Sequence, residues 1–368
     1  MGKRILLGCY EVPGWGGAAT ALYLLFARMQ RDGLDVAYVN LISEKDAAFF
    51  RRLFGDNFGN PQALENVYTC LLEEPLWRQH VALADGIERV SPHFLLGRGF
   101  IAARLMKLAA PRLPVVFMTA GSRQVQYLIE TGACRDFMAF RRSIGCGIAF
   151  SVPPENRERQ AVETCDLIIV HSPLVRFALE HFFPAQEGKI HPDIISVADL
   201  IYPEAERFAA LAQPFMQRDI DLIFVASSWH RPEKNYGLVQ TIASRCDRLN
   251  VHVVGDVDQP RLPAQYHGVM TRREDLYALL GRSKTLICPS LIDAAPGVLF
   301  EASAMGCNVI ASPNCGNWPL CNEQLAADQC SLDAFLAKVQ PSLSQTFKDN
   351  RERFRGGYEG LVNILRVL

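Results

Sequence analysis

Short apolar runs alternate with stretches of helical periodicity along almost the whole chain. Residues 4–9 (Arg-Ile-Leu-Leu-Gly-Cys) read as a strand, and the glycine-rich turn Pro13-Gly14-Trp15-Gly16-Gly17 leads into an amphipathic helix over 18–31. Residues 36–41 read as the next strand, and residues 44–90 as mostly helical and highly charged. A short strand over 93–96, a helix over about 100–110 and strands Val115–Met118 and Leu167–Val170 follow. A further helix opens at Ser172-Pro173, where serine suits the N-cap and proline the first helical position. The pattern breaks over 203–218, which carries Pro203 and Pro214, and then restarts. Strands are expected at 222–226, 251–254, 286–288 and 308–311, with helices at about 235–245, 273–282 and 297–306. The tail, 347–368, reads as a helix interrupted by Gly356-Gly357. Strands alternating with helices imply a parallel, doubly wound sheet. Here the pattern occurs twice, so the expectation is an α/β protein of two Rossmann-like domains.

Length and composition fit that picture. The chain has 368 residues, 49% of them hydrophobic and 21% charged, which is enough apolar material for two cores. The formal net charge is −1, so the basic surplus of a nucleic-acid-binding protein is missing. No apolar run approaches the length needed to span a bilayer. The apolar run near Met1 meets Glu11 and Pro13 too soon for a signal peptide. The 11 cysteines include no C-x-x-C pair, and Cys146, Cys165, Cys288 and Cys307 sit in or beside apolar runs. Free thiols in a reducing, cytoplasmic compartment are expected. One local bias stands out: Arg98, Arg104, Lys107, Arg112, Arg123, Arg135, Arg141 and Arg142 face only Glu130 and Asp136 in the same stretch. This is either a solvated face or a patch that attracts an anionic acceptor or an anionic membrane surface.

The chemistry concentrates after the strand that ends at Cys288-Pro289-Ser290. A short loop carries Asp293, a helix starts near Pro296-Gly297, Glu301 follows eight residues after Asp293, and Gly306 closes the helix before the next strand. Amides at a helix start around Gly297, Val298 and Leu299 can hold a phosphate oxygen, and the helix dipole favours negative charge there. Pro296 costs little as an early helix residue. A carboxylate about one turn in, Glu301, can accept hydrogen bonds from a ribose diol. The layout suits a nucleoside diphosphate: ribose at Glu301, phosphates at the helix start, and the group beyond them near Asp293.

This segment resembles the E-x7-E signature of the retaining glycosyltransferases with the two-domain GT-B architecture, family four in particular. Pro289, Ser290, Asp293, Glu301, Ala302, Ala304, Gly306 and Val309 fall on the pattern in register; Asp293 replaces the first Glu, Pro296 a Gly, and Asn308 a Pro. A second stretch, Phe224-Val225-Ala226-Ser227-Ser228-Trp229-His230-Arg231-Pro232-Glu233-Lys234-Asn235, resembles the family's strand followed by G-R-x-x-x-x-K-G. Lys234 falls on the phosphate-neutralising lysine and Trp229 on the arginine; Arg231 either supplies the missing charge or pairs with Glu233. Val253-Val254-Gly255-Asp256 resembles the family's v-G-d strand end, His267-Gly268-Val269 the segment beside the base, and Gly16-Gly17 the N-terminal glycine pair facing the donor phosphates. Ala120 stands where the family carries a histidine that touches the transferred sugar. His171 reads as structural, His230 lies beside the phosphate loop, and Trp15 either floors an acceptor site or packs.

The resemblance implies two Rossmann-like domains facing a central cleft, with a C-terminal helix crossing back. It places an acceptor-binding domain at 1–205, a nucleotide-sugar-binding domain at 216–345 and the returning helix at 346–368. It implies a retaining, metal-independent, hexosyltransferase-like enzyme without a cofactor, moving a sugar from a nucleotide-diphosphate sugar to a hydroxyl. Polysaccharide, glycolipid or glycoconjugate synthesis is the expected context. The acceptor would be a saccharide or lipid-linked saccharide, with peripheral contact at the membrane inner face as one arrangement. Lys234, Asp293 and Glu301 carry the catalytic roles. Gly16, Gly17, Arg231, Lys234, Gly255, Val269, Gly297, Val298, Leu299 and Glu301 carry the donor. A nucleotide-sugar epimerase of the same architecture and a catalytically weak binding subunit stay open as alternatives. The base, the sugar, the acceptor and the oligomeric state are not written in these residues.

Overall fold

The computed structural model describes residues 3–15, 17–72, 79–119, 121–150, 157–257 and 263–368. The expected residues Gly16 and Ala120 lie outside them. The chain divides into two compact units. Unit 1 comprises Met1–Ser122, Pro153–Ser196 and Gly356–Leu368; unit 2 comprises Arg123–Val152 and Val197–Arg355.

Unit 1 holds a seven-stranded sheet of β1 (Ile5–Cys9), β2 (Val36–Ser43), β3 (Val67–Leu72), β4 (Phe94–Arg98), β5 (Val115–Met118), β6 (Leu167–Val170) and β7 (Ile190–Ile194). The spatial order is β3-β2-β1-β4-β5-β6-β7, and every pairing is parallel. Unit 2 holds β8 (Ile220–Ser228), β9 (Val251–Asp256), β10 (Gln265–Tyr266), β11 (Ser283–Cys288) and β12 (Asn308–Ala311). Its order, β10-β9-β8-β11-β12, is again fully parallel and has the same 3-2-1-4-5 winding. Strands β1, β4 and β5 are buried along their whole length. Helices cover both faces of such a sheet, so its central strands read as unbroken apolar runs. The architecture is therefore two Rossmann-like α/β domains, as the alternation predicts.

Several elements differ from the expectation. Residues 44–90 are not mostly helical: β3 lies between the helices Glu44–Phe54 and Gln79–Val90. It is an edge strand and largely exposed: its run Val67-Tyr68-Thr69-Cys70-Leu71-Leu72 is mostly apolar, yet Tyr68 and Leu71 face outward, and the charged residues on either side drew the reading toward helix. The other edge strand, β7, contains Pro192, which only an edge or an irregularity tolerates. In the break over 203–218, Pro203 sits inside the helix Ala198–Glu206. The tail is not one interrupted helix. A short turn, Arg351–Phe354, precedes a helix Gly357–Val367, so the glycine pair starts that helix. Gly356 caps it with φ 88°, and a side chain on Gly357 would fall 2.1 Å from the Ser196 carbonyl oxygen. Tyr358 then donates to Asp32 at 2.6 Å, which seats the last helix beside the first within unit 1.

Residues 123–152 lie between β5 and β6 in the chain but cluster with unit 2, where Phe137 N–H donates to the Leu291 carbonyl at 3.0 Å. The basic stretch 98–142 therefore divides between the units. Within it Arg98 is buried, Lys107 pairs with Asp166 at 2.8 Å, Arg123 with Glu130 at 2.5 Å and Arg135 with Asp136 at 2.8 Å. Among the described residues no helix is long and apolar enough to cross a membrane.

Trp229 is part of the unit 2 core. It is buried against Phe224, Val239 and Val253 and lies beside Tyr236 with ring centroids 5.7 Å apart. Its indole N–H donates to the Val254 carbonyl at 2.9 Å. Trp229→Ala is expected to cost about 3–5 kcal/mol of folding stability, measured by urea unfolding, because it opens a large cavity and orphans that carbonyl.

A pH effect belongs to the same sheet. His252 on β9 is buried, with Nδ1 2.9 Å from His267 Nε2 and Nε2 3.2 Å from Asn250 Oδ1. Burial, then the His267 ring and Arg282, hold its pKa down to about 4 from 6.5, against a smaller opposing pull from Asp219. Between those values the unfolded chain takes up a proton that the folded one refuses. Stability is therefore expected to be complete above pH 6.5 and to fall by about 3 kcal/mol as pH drops toward 4. In His252→Asn, denaturant titrations across that window should show a correspondingly flatter dependence.

Candidate functional site

The two motif segments meet at the C-terminal ends of β8 and β11, which are neighbours in the sheet. After β8 the chain makes a short turn, Pro232–Lys234, and Asn235 takes a left-handed conformation with φ 59°. The Asn235 amide donates to the Pro289 carbonyl at 3.0 Å, and Leu291 N–H donates to the Glu233 carbonyl at 2.8 Å. These bonds lay the lysine loop along the loop that follows β11.

Lys234 Nζ consequently pairs with the Asp293 carboxylate, and both side chains are largely buried. Burial pushes the Lys234 ammonium toward losing its proton, but the Asp293 carboxylate outweighs this and leaves its pKa raised. The lysine is therefore a fixed positive charge. Asp293 is held from both sides: its N–H donates to the Asn314 carbonyl at 3.0 Å, and Gly316 N–H donates to its carbonyl at 2.8 Å. Below it, the thiols of Cys288 and Cys315 lie 3.7 Å apart.

The helix predicted over 297–306 spans Gly297–Ala304, with Pro296 at its N-cap and no side-chain cap. Gly297 and Val298 are partly exposed, whereas Leu299 is fully buried and its N–H donates to the Pro296 carbonyl at 3.2 Å. That bond engages one of the three amides expected to meet a phosphate.

Glu301 is buried at 8% exposure, and its Oε1 accepts from Arg273 at 2.7 Å. Arg273 opens the helix Arg273–Arg282, also approaches Glu204 at 3.7 Å, and lies over the Tyr277 ring with its guanidinium 5.1 Å from the centroid. Burial disfavours its charge, but Glu301 and then Tyr277 more than restore it, so its pKa is raised. A ribose diol meeting Glu301 would use Oε2.

Gly255 has φ 125°, and a Cβ there would fall 2.0 Å from the Ala226 carbonyl oxygen. Only glycine lets β9 turn so tightly against β8. Its N–H donates to the Gly268 carbonyl at 2.7 Å, which binds the strand end to the Gly268-Val269 segment.

Other expected residues are engaged differently. Arg231 pairs with Glu233 at 2.6 Å rather than standing free to replace the missing arginine. Trp229, at that arginine's place, is core. His230 lies 3.3 Å from Asp256. Trp15 packs edge-on against Phe49 at 5.1 Å and Phe50 at 5.7 Å. Gly17 begins the helix Gly17–Arg31 in unit 1. His171 is buried in unit 1, and burial together with Arg98 holds its pKa well below the ordinary value.

Three residues of this region escaped the sequence reading. Arg273 had one signal, a cation at a helix start where the dipole favours acids. Asn314 and Asn317, after β12, are buried; Asn314 Oδ1 accepts from Met138 N–H at 2.9 Å, and the Asn317 amide donates to the Pro296 carbonyl at 2.9 Å. Among the described residues Asn314 Nδ2 and Asn317 Oδ1 have no hydrogen-bond partner, and buried polar groups in that state usually await water or ligand.

Residues 219–344 match the family model for glycosyl transferases group 1. No curated protein sequence matches the chain. Its fold is similar to that of sucrose-phosphate synthase from Thermosynechococcus elongatus, with TM-score 0.66 and 16% identity over 99% of this chain and 98% of that one. HepE from Anabaena, solved with UDP-glucose, gives TM-score 0.61 and 13% identity over the whole of both chains. The UDP-GlcNAc 2-epimerase of Methanocaldococcus jannaschii gives 0.57 and 13%, again over the whole of both. The fold is thus the GT-B architecture, and the family match falls on the unit 2 sheet and the two loops described above.

Proposed function

We propose that the protein is a retaining, metal-independent glycosyltransferase of the family-four type, transferring a sugar from a nucleotide-diphosphate sugar to a hydroxyl. The observation that carries this reading is the convergence within unit 2 of a buried, charged Lys234, the Asp293 carboxylate and a helix start followed by Glu301. The diphosphate rests against the amides of Gly297 and Val298 with its charge balanced by Lys234. Asp293 turns from the lysine to the donor sugar hydroxyls, and Glu301 takes the ribose diol through Oε2 while Arg273 keeps Oε1. The base lies beside Gly268-Val269. In the reaction the anomeric carbon–phosphate oxygen bond breaks and a bond to the acceptor oxygen forms on the same face. The acceptor proton passes to the leaving phosphate. The protein contributes mainly by stabilising negative charge on that leaving group.

A second reading rests on the epimerase fold likeness: isomerisation of the donor sugar without an acceptor. Incubation with a panel of nucleotide-diphosphate sugars, with product analysis by mass spectrometry and NMR, tests both. Transfer or slow hydrolysis with retained anomeric configuration, unchanged by a chelator, is expected. A 2-epimerised donor would replace this reading by the second, and an untouched panel would leave only the binding-subunit reading.

A further inference from the structure

The C-terminal edge of the unit 1 sheet holds a buried charge, Arg98, which the sequence places only within a run of cations. The strand order reverses between β1 and β4, since the chain runs β1-β2-β3 to one side and β4 to β7 to the other. In open α/β sheets the crevice outside such a reversal is where ligands bind. Arg98 is the last residue of β4, paired in register with Cys9 at the end of β1, so it stands at that reversal.

Arg98 is 6% exposed, and its Nη1 meets Nε2 of His171. The other ring nitrogen of His171 lies 2.5 Å from the Ile195 carbonyl, which can only accept. Nδ1 therefore carries the proton and Nε2 offers its lone pair to the guanidinium. That partner is neutral. The Cys9 thiol is neutral as well, since burial pushes its pKa up to about 12. Among the described residues no carboxylate lies within ion-pair range of Arg98; Glu11 supports its charge only from further away. Burial draws the Arg98 pKa down to about 10, which still leaves it charged at neutral pH. Among the described residues Arg98 Nε has no hydrogen-bond partner, and neither have the buried hydroxyls of Thr119 and Ser122 just after β5. A buried charge with no counter-charge in contact costs several kcal/mol, which a bound anion would recover.

We propose that Arg98 is the core of an oxyanion-binding subsite at the β1/β4 reversal, taking a carboxylate or phosphoryl group with help from the Thr119 hydroxyl. That the oxyanion belongs to the glycosyl acceptor rests on the function proposed above; the subsite itself does not.

Calorimetric titration of the full chain with glucose 6-phosphate and, separately, glucuronate tests this in the wild type, Arg98→Met and Arg98→Lys. The wild type is expected to bind at least one probe, and which one tells phosphoryl from carboxylate. Arg98→Met should lose about tenfold or more in affinity. Its ligand-free Tm should stay equal or rise, because an apolar side chain relieves an uncompensated charge. A merely structural arginine would give a lower Tm instead. If Arg98→Met fails to fold, Arg98→Lys decides: a similar loss of affinity supports the subsite, and unchanged affinity overturns it. Absence of wild-type binding to both probes also overturns it, as does binding that persists in Arg98→Met, which would place the anion at the Lys234 loop. Arg98-dependent binding in a protein that transfers no sugar would keep the subsite and remove the acceptor assignment.

Discussion

Lys234→Ala is expected to lower turnover by about two to three orders of magnitude, the range seen when one preorganised charge stabiliser is removed from a reaction of this kind. The ammonium is buried and holds its proton, so nothing in solution replaces it at the leaving phosphate. Arg231 is a poor substitute because Glu233 already holds it. The same substitution strips Asp293 of its partner and should cost about 1–3 kcal/mol of stability. That contribution is complete at neutral pH: the raised lysine pKa makes it present below the unfolded value of 10.5 and lost only as pH rises through the folded one. The two effects can be separated. Lys234→Ala combined with Asp293→Ala should recover much of the Tm but none of the turnover. A folded Lys234→Ala variant that turns over within a few-fold of wild type would remove the lysine from the mechanism.

Glu301→Gln is expected to raise KM for the donor and to lower kcat/KM by about 10²-fold, because a neutral amide holds a ribose diol less strongly than a carboxylate. The alanine variant is the poorer probe. Truncation would leave Arg273 buried with only Glu204, at 3.7 Å, for a counter-charge. Breaking a buried pair in this way costs about 3–5 kcal/mol. Glu301→Ala should therefore lose stability and activity together, whereas Glu301→Gln, which keeps an acceptor for Arg273 though not the charge, should lose less stability for a similar loss of activity. Tm and donor kinetics measured on both variants give the comparison. A Glu301→Gln protein with wild-type donor KM would detach this residue from the ribose.

The inner strands were legible because burial on both faces writes itself as unbroken apolar runs, as in β1, β4 and β5. The edge strand β7 was not, since its half-buried or exposed residues His191, Pro192 and Asp193 leave no such mark, and the apolar run of β3 was lost among charged neighbours. The spacing of Asp293 and Glu301 was legible as well, because eight residues fix a loop and one helical turn. The pairing of Lys234 with Asp293 was not. It depends on β8 and β11 becoming neighbours, and on hydrogen bonds from Asn235 and Leu291 that bring two loops together. Arg273 lay hidden for a similar reason: in the chain it is one of two arginines at a helix start, and only the fold sets it against Glu301. Arg98 was read as part of a linear run of positive charge, which the fold divides between the units and from which it buries Arg98.

The allocation of the last helix to unit 1 has a consequence for biosynthesis. The nascent chain passes from one unit to the other after Ser122, returns at Pro153, leaves again after Ser196 and comes back at Gly356. The amino-terminal sheet can form early, but Asp32 and the Ser196 carbonyl wait for Tyr358 and Gly357, which are made only after the unit 2 sheet. Maturation of the first domain thus waits for synthesis of the second, and a polypeptide cut short before Gly357 would present an unfinished surface to the chaperones.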